Sequence, residues 1–234
     1  MFQHTIPSSV VFNTLRVLKK ANPGDLYYEA YVGHWRQHKE KFMDTYHVMW
    51  QIATEFQPRR ILEIGVRTGL SISQLLSGYI HEQFNAIERV VLCDLFNDGF
   101  CSPGLVRYNL MTLAIPKEVI DKIEFLSGDS KSKIPEFIGD NPDQKFDYIL
   151  VDGSHDKDDA RHDLSMCHDI LDVGGFMLFD DISPTGVMLK DVWDEFKAEH
   201  RQEYDWFEDY NGKGVGVGRR VATTNAVCLS EEVV

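Results

Sequence analysis

The sequence predicts an α/β fold: a doubly wound, mainly parallel sheet of seven strands that ends in an antiparallel hairpin, behind a helical N-terminal extension. Three observations carry this expectation. From Pro58 onward, short apolar runs alternate with amphipathic segments, the pattern of βαβ units around a parallel sheet. The runs end in carboxylates or glycines: Glu63 with Gly65 and Gly69 in ILEIGVRTG, Asp94 in VVLCD, Asp152 in FDYILVDGSH, and Asp180 with Asp181 in GGFMLFDD. Finally, EYDWFEDYNGKGVGVGRRV reads as two strands joined by Asn211-Gly212, a strong hairpin signal. Polar strand ends gather along one sheet edge, and ligands bind there in open α/β folds. A nucleoside-type cofactor is therefore expected, beside an acidic cluster suited to a metal.

The elements follow in order. Residues 8 to 56 carry helical patterning in VFNTLRVL, DLYYEAYVGHWRQHKEKF and DTYHVMWQIATEF, with Asn22-Pro23-Gly24 breaking the first two. We read residues 1–57 as the extension and 58–234 as the main domain. Most aromatics of the extension (Tyr27, Tyr28, Tyr31, Trp35, Tyr46, Trp50) are expected in core or interface positions. Strand one is read as 60–64, with its helix through SISQLLSGYIHE, and strand two as 90–94. NDGFCSPGLVRYNL then reads as a long irregular excursion at the binding edge, before a helix near Leu113. Strand three is 122–126, followed by SGDS and a helix. Strand four is 146–151, with a helix from near His155 past Asp169; strand five is 175–179, followed by the helix VMLKDVWDEFKAEH.

Composition narrows the function classes. The chain has 234 residues, 43% hydrophobic and 26% charged, as in ordinary globular proteins. A formal net charge of -13 argues against a nucleic-acid partner, which draws on clustered Lys and Arg. No apolar run approaches the roughly 20 residues that span a bilayer, so no membrane partner is expected. The four cysteines, Cys93, Cys101, Cys167 and Cys228, form no C-x-x-C pair. Together with an N-terminus that lacks a secretory pattern, this predicts a cytoplasmic, reduced protein. His162, Cys167 and His168 fall on one predicted helix, a spacing unlike that of a closed zinc site.

From residue 58 to 221 the chain resembles the class I S-adenosylmethionine-dependent methyltransferases, whose fold is Rossmann-like. The resemblance rests on Glu63-x-Gly65-x-x-x-Gly69, on Asp94, and on Gly128-Asp129-Ser130. It implies that Gly65 and Gly69 let the cofactor lie against bare backbone. The following helix would offer its N–H groups to the methionine carboxylate, helped by Ser71. Asp94 would accept from the ribose hydroxyls, and Asp129 with Ser130 would contact the adenine.

Asp152-Gly153-Ser154-His155 and Phe179-Asp180-Asp181 resemble the metal-dependent small-molecule O-methyltransferases of the catechol, macrolide-sugar and aminocoumarin type. That resemblance implies a magnesium ion held by Asp152, Asp180 and Asp181, with Asp152 at the cofactor site as well. Three hard oxygens suit magnesium. Catechol O-methyltransferase carries an amide where this chain has Asp181. His155 stands where these enzymes keep a general base, and imidazole titrates in the range that role requires. The implied acceptor is a small hydroxylated molecule of sugar or phenol type. Two other readings stay open: a cofactor-binding scaffold or accessory protein without turnover, and a methyltransferase with a nitrogen acceptor. An added helical N-terminus is also compatible with a homo-oligomer.

Overall fold

The computed structural model describes residues 8–23, 45–97, 101–184 and 189–222. The segment DLYYEAYVGHWRQHKEKF, with Tyr27, Tyr28, Tyr31 and Trp35, lies outside the described residues, as does Cys228. The strands are β1 Arg60–Ile64, β2 Arg89–Asp94, β3 Ile123–Ser127, β4 Phe146–Val151, β5 Leu171–Asp180, β6 Tyr204–Asp209 and β7 Val215–Arg220. The helices are α1 Ser8–Ala21, α2 Thr45–Phe56, α3 Leu70–Ser77, α4 Pro103–Thr112, α5 Lys117–Ile120, α6 Ser130–Asp140, α7 Lys157–Ile170 and α8 Lys190–Glu199. No helix among the described residues is long and apolar enough to cross a membrane.

All seven strands join one sheet in the order β3-β2-β1-β4-β5-β7-β6. Pairings from β3 to β5 are parallel, while β7 runs antiparallel to both β5 and β6. The chain moves outward from β1 to β3, then crosses back to β4. The strand order therefore reverses between β1 and β4, and the carboxyl ends part there into a crevice.

The apolar runs are buried on both faces, as a parallel sheet covered by helices requires. Alternate residues feed opposite layers. Ile61, Val90, Leu92, Tyr148, Leu150 and Leu178 pack with α1, α2, α3 and α4. Leu62, Ile64, Val91, Ile149, Met177 and Phe179 pack with α6, α7 and α8. Val11, Leu15 and Leu18 of α1 are fully buried in the first layer, so this N-terminal helix shares the sheet's own core. Tyr46 is buried there too, and Trp50 packs against it.

The structure corrects three sequence expectations. The stretch read as irregular carries α4, because the Ser102 side chain caps the Leu105 N–H and Pro103 takes the first turn, where its missing N–H costs nothing. Strand five is longer than 175–179, beginning at Leu171, with a register shift at Phe146/Tyr148 where Gly174 and Gly175 interrupt the apolar run. The helix after β1 stops at Ser77, with Gly78 at its C-cap, and a separate 3-10 turn covers His81–Ala86.

Candidate active site

A cleft of about 270 Å³ opens at the strand-order reversal, lined by Gly65, Asp94, Gly128, Asp129, Ser130 and Gly153 among others. Gly65 has φ +86, and a Cβ there would collide with the Asp152 carbonyl oxygen at the end of β4. The neighbouring strand end thus demands glycine at this turn. Gly69, with φ 77, forms the N-cap of α3.

Asp94 ties the turn to β2. Its Oδ2 accepts from the Val66 and Arg67 N–H groups at 2.7 and 2.8 Å, and its Oδ1 accepts from the Phe96 N–H at 3.2 Å. A carboxylate has about four acceptor positions, so Asp94 keeps capacity for a hydroxyl donor. Asp129 caps α6 through the Lys131 N–H at 2.9 Å and also lines the cleft. Glu63 and Ser71 are buried and hydrogen-bonded to each other, with the hydroxyl donating to Glu63 Oε1. Neither is among the residues lining the cleft. Burial pushes the Glu63 carboxyl up to about 8, against the lowering effect of Ser71 and with a small push from Asp94.

Beside the cleft stands the acidic cluster. Asp152, Asp180 and Asp181 each offer an oxygen, all within 4.8 Å of one another. Asp180 and Asp181 are buried, and Asp152 is partly so. Thr45 Oγ1 donates to Asp180 Oδ1 at 2.7 Å, and Lys213 Nζ donates to Asp180 Oδ2 at 2.5 Å. His155 Nε2 approaches Asp181 Oδ2 at 3.1 Å, although that oxygen has no aligned hydrogen bond among the described residues. Asp181 also holds φ at 61, an uncommon conformation for a residue with a side chain. Burial foremost, then the charge of Asp180, raises the carboxyls of Asp152 and Asp181, while Lys213 opposes the rise. Three clustered carboxylates, one with a buried oxygen that has no aligned hydrogen bond among the described residues, fit a hard divalent cation.

Of the residues expected at a cofactor site, Gly65, Asp94, Asp129 and Ser130 come together at the cleft. Gly69, Glu63 and Ser71 form the turn and the layer behind it. Asp152, Asp180, Asp181 and His155 converge as a group. Three participants escaped the sequence reading. Thr45 and Lys213 reach the cluster from distant elements. Asp163 is buried on α7 beside Gly153, and burial holds its carboxyl at about 6. A visible signal did exist for Asp163, since it falls in the buried stripe Ala160, Asp163, Leu164, Cys167, where an acid is out of place.

A seven-stranded sheet with a glycine turn at β1 and acids at the ends of β2, β4 and β5 delimits a narrow class of proteins. The chain belongs to the methyltransferase-domain family, whose family model matches residues 62–182. No curated protein sequence matches the chain. Among solved structures, it is similar to the O-methyltransferase from Bacillus cereus in complex with SAH, at 15% identity and TM-score 0.58, covering 91% of each chain. It is similar as well to TomG of Streptomyces achromogenes, an O-methyltransferase involved in tomaymycin synthesis and solved with SAM. That match has 15% identity and TM-score 0.59, covering 91% of this chain and 90% of that one. The SAH-bound methyltransferase PaMTH1 of Podospora anserina matches at 19% identity and TM-score 0.55, covering 82% and 87%. At these identities the likeness is one of fold.

Proposed function

We propose that this protein is an S-adenosylmethionine-dependent O-methyltransferase that methylates a hydroxyl of a small molecule, of sugar or phenol type, with the help of magnesium. The observation that carries the reading is the acidic cluster with His155 against it, opening beside the cleft at the strand-order reversal. The cofactors in the similar structures support the same reading.

When bound, S-adenosylmethionine supplies an electrophilic methyl group, and magnesium supplies a charge that acidifies the acceptor hydroxyl. The chain's residues do the rest. Asp94 and the turn from Gly65 to Gly69 would hold the nucleoside and amino-acid ends, and the N-terminus of α3 would offer its N–H groups to the carboxylate. Asp129 and Ser130, which line the cleft, would contact the adenine. Asp152, Asp180 and Asp181 would hold the metal. His155 Nε2 stands 3.1 Å from Asp181 Oδ2, which sets the imidazole against the acidic cluster. Its imidazole takes the hydroxyl proton, and Asp181 stabilises the imidazolium that results. We place the enzyme in the cytoplasm, a setting consistent with the buried, reduced thiols of Cys93 and Cys167.

The test has two arms. Calorimetric titration with S-adenosylhomocysteine should give one-site binding in the micromolar range typical of such ligands; no binding would remove the cofactor reading. Methyl transfer to a panel of sugars and phenols should fall with chelator and in Asp152→Asn. Transfer indifferent to both would remove magnesium from the mechanism.

A further inference from the structure

The β6–β7 connection delivers a cation into the acidic cluster, and its backbone is built to do so. The Ser183 N–H, two residues past Asp181, donates to the Lys213 carbonyl at 2.8 Å. Next along the chain, Gly214 has φ +80, and a Cβ there would run into the Ser183 backbone. Any other residue at 214 would push the connection off the segment that follows β5. Asp209 Oδ1 braces the other side, accepting from Asn211 N–H and Nδ2 at 2.8 and 2.7 Å. Lys213 therefore starts from a pinned backbone. Its ammonium stands 2.5 Å from Asp180 Oδ2, 3.4 Å from Asp181 Oδ2 and 3.7 Å from Asp152 Oδ1.

Those oxygens belong to the same three carboxylates that would ligate magnesium. An ammonium and a dication cannot share them at such range without strong mutual repulsion. Asp180 is the tightest case, since Thr45 already takes its other oxygen. Yet the Lys213 side chain is 39% exposed, and its four-carbon stem can carry the charge outward to water. We propose that Lys213 is a built-in counter-cation that holds the acidic cluster together without metal and must leave it when a divalent ion binds. It thereby sets the threshold of metal affinity. This inference rests on the proposed metal site and adds a residue that competes for it.

The experiment is calorimetric titration of the full chain with Mg2+ and Mn2+, in wild type, Lys213→Met and Lys213→Arg. Lys213→Met should bind the ions about tenfold more tightly or better, whereas Lys213→Arg, which keeps the charge, should stay near wild type. In chelator, Lys213→Met should also unfold several degrees lower than wild type, with the difference closing as Mg2+ is added. If the Met variant does not fold, Lys213→Gln drops the charge, keeps a donor, and carries the same expected sign. Equal or weaker metal binding without the ammonium overturns the proposal. Absence of binding in every variant overturns it too, together with the metal part of the proposed function. The S-adenosylhomocysteine titration on the same preparations then shows whether the cofactor part stands.

Discussion

At Gly65 a single missing methyl group decides whether β1 and β4 can sit side by side. The space a Cβ would need holds the Asp152 carbonyl, and the backbone is left-handed as well. Gly65→Ala should therefore cost about 3 kcal/mol or more, measured by urea denaturation, and should weaken S-adenosylhomocysteine binding by moving the turn. Unchanged stability would mean that β4 yields at no cost. Asp181 shows the reverse situation. It bears a carboxylate in a left-handed conformation, beside two further acids, and strain of this kind persists where function requires it. Asp181→Gly should stabilise the protein in chelator by about 1 kcal/mol while abolishing metal-dependent transfer. A loss of stability would show that the approaches of Lys213 and His155 to Asp181 outweigh the strain.

At the scale of elements, α4 depends on its first turn. The Ser102 hydroxyl caps it, Val106 and Leu110 enter the core, and Asn109 Nδ2 donates to the Thr68 carbonyl at 2.9 Å, joining the helix to the glycine turn. Ser102→Ala should cost about 1 kcal/mol in denaturant unfolding and weaken cofactor binding modestly. An unaltered transition would mean that packing alone holds the helix. Helices α6 and α7 begin the same way, at Asp129 and Asp156. Capping carboxylates thus recur at the crevice edge, where strand ends turn into helices.

Across the whole molecule, buried acids set the response to pH. Glu63 titrates at about 8 in the fold against an ordinary 4.5, and Asp163 at about 6 against 3.8. A carboxyl raised in the folded state binds its proton more tightly there than when unfolded. Its stabilising effect is complete below the unfolded value and is lost as pH rises through the folded one. For Glu63, flanked by Ser71, Asp94, Tyr148 and Asp152, that window runs from about 4.5 to about 8. A tenfold difference in proton affinity between the folded and unfolded chain is worth about 1.4 kcal/mol. Glu63→Gln carries no such proton, so its stability relative to wild type should rise with pH across the window, as followed by thermal midpoints. A flat difference would mean that Glu63 titrates normally.

Much of this was written locally in the chain. Short apolar runs placed the five parallel strands, β1 and β4 to the residue, because burial on both faces leaves few other ways to arrange Ile, Val, Leu and Phe. The carboxylates at Glu63, Asp94, Asp152, Asp180 and Asp181 were legible because each stands at or near the end of an apolar run, where open α/β sheets gather their polar groups. The helix α4 was also encoded, in Ser102-Pro103, but a capping pair is easily read as loop. What no local pattern contains is the partnership across the fold. Thr45 meets Asp180 over 135 residues and Lys213 meets it over 33. Those encounters depend on β7 inserting beside β5 and on α2 packing over the sheet. Periodicity reports which side of an element is buried, whereas the choice of neighbour is made when all elements compete to bury their faces together.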